Sequence, residues 1–103
     1  MDDDAPTGDD LVAMLATLAS PHRMRVVAAL AGGRNYVSQL ARDLGISRAL
    51  LQVHLKKLEA AGLVTSQLEV SDDGKAMNFY EVVPFSVHLT PERVERASAT
   101  LTV

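Results

Sequence analysis

The chain has 103 residues, which holds one small domain and leaves little room for a separate ligand-binding domain. Apolar residues make up 48% and aromatics only 4%, so wholesale disorder is excluded and the core must be mostly Leu, Val and Ala. The absence of cysteine excludes disulfides, thiolate zinc sites and cysteine catalysis, and the net charge of −3, taken alone, argues against a nucleic-acid partner.

Residues 1–8, MDDDAPTG, have almost nothing to bury and read as a disordered acidic tail, with a single domain over 9–103. Asp9 or Asp10 can cap a first helix over 11–19, where Leu11, Met14, Leu15 and Leu18 recur at helical spacing. This apolar stretch is too short to span a bilayer. It follows five aspartates rather than a basic segment, so it is not a secretion signal; no membrane association is expected and the cytoplasm is the default location. Ser20-Pro21 restarts a helix with a hydroxyl cap and a proline at the first helical position. Its expected apolar stripe is Met24, Val27, Ala28 and Ala31, with Leu30 at the edge, and Gly32-Gly33 ends it.

A short helix follows over about 37–44, with Val37, Leu40, Ala41 and Leu44 on one face. Gly45 breaks it, and Ser47 caps a longer helix that runs to about Ala61 and stops at Gly62. LVTSQLEV and MNFYEVV then alternate as strands, joined by the hairpin turn residues Asp73-Gly74, for a wing over about 63–83. Pro84 and Pro91 bracket a loop, and Thr90 with Glu92 and Glu95 opens a last helix over about 90–100. Two helices joined by a tight glycine-containing turn make a helix-turn-helix over about 37–61. The predicted fold is therefore mainly α with a small β-hairpin: a winged helix-turn-helix with a three-helix core, a wing, and flanking N- and C-terminal helices.

The charge is unevenly spread. Five acids lie in the first ten residues, whereas residues 20–83 hold eight Lys/Arg against six Asp/Glu, and residues 47–58 carry Arg48, Lys56 and Lys57 with no acid. That local excess is the field a polyanion would meet. At about 100° per residue, Leu51, Leu55 and Leu58, with His54 and Ser47 beside them, define the buried stripe of this helix. Ala49, Gln52, Val53 and Lys56 then face outward, flanked by Arg48 and Leu50.

The segment SRALLQVHLKKLEAAGLV followed by an Asp-Gly hairpin resembles the recognition helix and wing of the ArsR/MarR-type winged-helix transcriptional regulators. LASPHRMRVVAAL resembles the helix that precedes them in ArsR-like members, so the likeness covers roughly residues 18–83. It implies a homodimeric, sequence-specific regulator on double-stranded DNA with a pseudo-palindromic operator. It also implies that residues 47–57 enter the major groove and that the wing, around 72–76, touches backbone or minor groove. Donor chemistry then distributes roles: Arg48 can fork to guanine and Gln52 can pair with adenine. Ala49, Leu50 and Val53 can pack on thymine methyls. Lys56 and Lys57 suit phosphates, and Ser47 offers a hydroxyl and a helix N-terminus. In the wing tip SDDGKA, Lys75 is the only cation, and Asp72 and Asp73 would repel phosphates.

Competing readings stand beside these. Leu50 and Val53 are apolar on a face that should be polar if merely solvated, so a protein-binding winged helix is the alternative to DNA. Leu11, Met14, Leu15 and Leu18 are either core or, with Val94, a dimer seam. His54 reads as a packed structural group rather than a ligand or proton switch. His22 and His88 have no His or Cys at ligand spacing, so no metal is expected. ArsR-like metal sensors carry a cysteine pair on the helix matching 36–44, where this chain has Tyr36, Val37 and Ser38, which removes the thiolate sensor mechanism. No phosphate-cradling glycine loop, nucleophile elbow or paired-carboxylate motif is present, so neither an enzyme nor a cofactor is expected. No motif points to a small-molecule effector.

Overall fold

The computed structural model describes residues 6–102, so most of the expected acidic tail lies outside the described residues. Helix α1 spans Gly8–Leu18, three residues earlier than its apolar pattern suggests. The cap is Thr7, not Asp9 or Asp10. Its hydroxyl accepts from the Asp10 N–H at 3.1 Å, and the Asp10 carboxylate accepts from the Thr7 N–H at 3.3 Å. This reciprocal pair satisfies two otherwise orphaned donors, so Gly8 belongs to the helix and not to a tail.

Helix α2 (Pro21–Ala31) follows, capped by Ser20 as expected. Its apolar stripe has a different phase from the sequence expectation. Val26 and Leu30 are buried, whereas Met24 is 60% exposed and Ala28 and Ala31 face solvent. The true stripe passes through Arg23, a residue that a hydrophobic pattern rejects. Arg23 fits there because its Nε–H donates to the Thr17 carbonyl and its Nη1 lies 3.3 Å from His54 Nδ1.

Helix α3 (Val37–Leu44) and helix α4 (Arg48–Ala60) form the helix-turn-helix. Gly45 sits at φ 67°, ψ 32°, the left-handed conformation that the turn requires and side-chain-bearing residues avoid. The Ile46 N–H returns to the Ala41 carbonyl at 3.1 Å and closes the end of α3. The core gathers Val26 and Leu30 from α2, Leu40 and Ala41 from α3, and Leu51, Leu55 and Leu58 from α4. Each fully buried large side chain contributes roughly 1.5–3 kcal/mol relative to an exposed one.

The wing is the antiparallel pair β2 (Val64–Val70) and β3 (Ala76–Val82), in register from Val64↔Val82 to Val70↔Ala76. A two-residue strand β1 (Asn35–Tyr36) adds to the other edge of β3, giving the order β1-β3-β2. Two residues carry no periodicity, so β1 was not legible in the sequence. It exists because β3 offers an open edge beside the start of α3.

Helix α5 (Pro91–Ser98), capped by Thr90, packs on α1. The approach is close enough that a Cβ on Gly8 would collide with the Ala97 carbonyl and sit 2.9 Å from Leu101. The Gly8 N–H donates to Thr100 Oγ1 at 2.6 Å, and Arg93 donates to the Pro6 carbonyl at 2.9 Å. The two flanking helices are therefore one unit.

Candidate nucleic-acid interface

The recognition-type helix α4 begins at a hydroxyl cap, with Ser47 Oγ accepting from the Leu50 N–H at 3.1 Å. Ser47 is exposed rather than beside the buried stripe, because the cap position lies before the helical turn begins. Among the described residues its O–H has no acceptor. Leu51, His54, Leu55 and Leu58 point into the core, which leaves Arg48, Ala49, Leu50, Gln52, Val53, Lys56 and Lys57 at the surface. Leu50 and Val53 are 39% and 51% exposed, so both present apolar area outward. Among the described residues, Arg48, Lys56, Lys57 and Lys75 form no ion pair.

Two of the wing's acids are taken up by neighbouring groups. Asp73 accepts from the Ser71 hydroxyl and the Lys75 N–H, contacts that hold its carboxyl below the usual range. Glu69 is paired with Arg34, whose guanidinium lies 4.3 Å over the Phe79 ring. Tyr36 meets the same ring edge-on at 5.7 Å, which ties the wing to β1. Asp72 stays exposed, and so does Lys75. Between the wing, α3 and the first turns of α4 lies a cleft of about 560 Å³ whose walls include Arg48, Gln52 and Lys75. Arg42 of α3 also lines it and was missed in the sequence, where it reads as one more solvated charge on a polar face.

The candidate dimer residues divide. Leu11 is buried by its own chain, and Met14 and Leu18 are half-buried against the core, so these three are largely spent within one molecule. Leu15 and Val94 are 41% and 52% exposed, and Val12, which the helical pattern did not single out, is exposed three residues before Leu15.

Among the described residues, His54 is the one buried polar or charged side chain outside the apolar set. An arginine only donates, so Nδ1 accepts from Arg23 and the proton sits on Nε2, which is buried and has no partner among the described residues. The ring stacks on His22 at 5.3 Å. Burial, then the charges of Arg23, His22 and Lys57, push its pKa below the ordinary value. The unfolded chain takes up a proton near pH 6.5 that the native ring refuses. Stability is therefore full above about pH 6.5 and falls as the pH drops below it. Urea unfolding between pH 7.5 and 5 should show this decline, and His54→Leu should flatten it. Parallel curves for the two proteins would refute the assignment. Among the described residues, no group of three or more His, Asp or Glu is placed to hold a metal.

Residues 20–66 match the family described as Bacterial regulatory protein, arsR family. Over 87 residues the chain is 31% identical to the uncharacterized HTH-type transcriptional regulator MJ0229 of Methanocaldococcus jannaschii, spanning 84% of this chain and 90% of that protein. Over 52 residues it is 42% identical to the HTH-type transcriptional regulator CmtR of Mycobacterium tuberculosis, spanning 50% of this chain and 44% of CmtR. Among solved structures, HlyU from Vibrio cholerae superimposes with a TM-score of 0.65 at 21% identity, over 96% of this chain and 92% of HlyU. The homodimeric winged helix-turn-helix DNA-binding domain Mb0332 of Mycobacterium bovis gives 0.66 at 23% identity, over 88% of this chain and 73% of that one. These two likenesses establish the winged helix-turn-helix fold.

Proposed function

Because this chain belongs to the arsR family of bacterial regulatory proteins, we propose that it works as a homodimer on a pseudo-palindromic duplex, with α4 in the major groove. It is a DNA-binding transcriptional regulator of the winged-helix type and not an enzyme. The observation that carries the finer reading is the outward face of α4. Arg48, Gln52 and Lys56 stand there beside apolar Ala49 and Val53, all exposed among the described residues. Bidentate donors near a helix N-terminus suit base edges, and lysines farther along suit phosphates. The dimer reading draws on the exposed Leu15 and Val94 of the α1–α5 unit, and on the homodimeric state of the Mycobacterium bovis domain. A two-fold dimer would place half-sites about one helical turn apart, roughly 34–36 Å.

Selection from a random duplex library at two ionic strengths tests the reading, and a pair of variants sharpens it. Lys56→Ala should weaken binding to every sequence alike. Arg48→Ala should relax preference at one base position, by about 1–3 kcal/mol of discrimination. If neither substitution changes specific binding, the groove assignment is wrong. The second reading, a protein partner seated on Leu50 and Val53, is favoured only by their exposed apolar area. It predicts association that salt does not weaken.

A further inference from the structure

The wing projects from a narrow base. Strand β1 pairs with β3 only at Asn35↔Tyr80 and Tyr36↔Phe79, so from Asn78 to the tip β3 has only β2 as a ladder partner among the described residues. A free two-stranded ribbon is marginally stable and twists more strongly than a wider sheet. Burial is confined to the base as well: Val64 and Tyr80 are buried, whereas Leu68 and Val70 are 65% and 68% exposed. Backbone pairing and packing therefore leave the angle between the wing and α3–α4 loosely fixed.

One side-chain bridge reaches past that base. Arg34, the residue before β1, forks onto Glu69 of β2: its Nη1 donates to one carboxylate oxygen and its Nη2 to the other at 3.2 Å. Glu69 stands opposite Met77, two residues nearer the tip than Phe79, where the β1 ladder ends. To reach it Arg34 crosses the width of β3, and its guanidinium rests on the Phe79 ring. Leu68 lines the cleft on the α3 side, so strand alternation puts its neighbour Glu69 on the outer face of the sheet. The two side chains are 45% and 37% exposed, so the pair adds little to global stability. Its effect is geometric, because a planar fork held against an aromatic face restricts orientation far more than a point charge does.

We propose that Arg34 is the positioning residue of the wing: by strapping the outer face of β2 to the start of α3 across Phe79, it sets the angle at which the hairpin stands to the recognition helix. The consequence for binding rests on the DNA reading above; the strap itself does not. A wing held at one angle offers a duplex a preformed surface, whereas a hinged wing must be ordered on binding and loses affinity for it. The base preference of α4 is untouched, because the strap lies on the outer face of the sheet.

Residual dipolar couplings of the full chain, measured without DNA, test the strap directly. In the parent, amides 68–78 should share one alignment with those of α2–α4. Arg34→Gln and Glu69→Gln should each shrink the wing couplings relative to the helices, and the exchange Arg34→Glu with Glu69→Arg should restore them in large part. Glu81→Gln is the control, since Glu81 acts on Arg34 only through space, and it should change nothing. Melting temperatures of these surface variants should stay within about 3 °C of the parent, which separates positioning from folding. On a selected duplex, Arg34→Gln should weaken binding about 3–10-fold with base preference unchanged. Wing couplings equal to the parent's in both single variants overturn the proposal, whatever the duplex result. Shrunken couplings with full duplex affinity overturn the positioning role in binding. A parent chain that binds no duplex, with the couplings as expected, removes the DNA reading and leaves the strap standing.

Discussion

Raising the salt from about 50 to about 200 mM is expected to weaken binding to a selected duplex by about 10³-fold. Lys56, Lys57 and Lys75 are exposed, and in the proposed homodimer each protomer would direct them at phosphates. Such a dimer would bring about six, each releasing a condensed counterion and contributing roughly 0.9 to the salt slope. The free state of these lysines matters: because no ion pair occupies them among the described residues, none has to be broken on binding. A protein partner held by Leu50 and Val53 would bury apolar area instead, and its affinity would stay nearly level over the same range. A flat response with retained binding is the result that removes DNA from the account.

Leu55→Ala should cost about 2–5 kcal/mol of stability, against a total of about 5–15 kcal/mol for a domain of this size. Leu55 is fully buried between the helices, in the same cluster as Leu51, Leu58, Leu40, Val26 and Leu30. Truncation removes transfer free energy and leaves a cavity that a close-packed helix pair fills only in part. The same helix supplies the control. Leu50 lies 39% exposed on the opposite face, so Leu50→Ala should change stability by less than about 1 kcal/mol while altering partner binding. Urea titration of both variants checks the contrast. Equal losses would mean that α4 is rotated from the orientation described and that its outward face is misassigned.

Much of the fold was legible because its cues are local. Ser20, Ser47 and Thr90 cap helices where their sequence context says they should, each accepting from a backbone N–H three residues on. Gly45 adopts the left-handed turn that separates α3 from α4. The stripe Leu51, Leu55 and Leu58 is buried with His54, as helical spacing implies. The wing pairs on either side of the Asp73-Gly74 turn, although the loop takes residues 71–75 rather than a tight two-residue form. The outward residues of α4 follow from the same helical wheel, so most of the candidate interface was readable as well.

What the sequence determined by itself was the set of elements, their order and the sidedness of α4. Caps, glycine turns and a 3.6-residue period act within a few residues of where they are written. Tertiary structure decided the rest. Arg23 takes a place in the buried stripe of α2 only because the Thr17 carbonyl and His54 come to meet it. Leu11 is covered within its own chain while Leu15 and Val94 stay exposed, because α5 packs on one face of α1. Arg42 becomes part of a cleft only when the wing folds across from α3. Each of these depends on groups far apart in the chain, and a pattern confined to neighbouring residues carries no record of which distant surface will cover it.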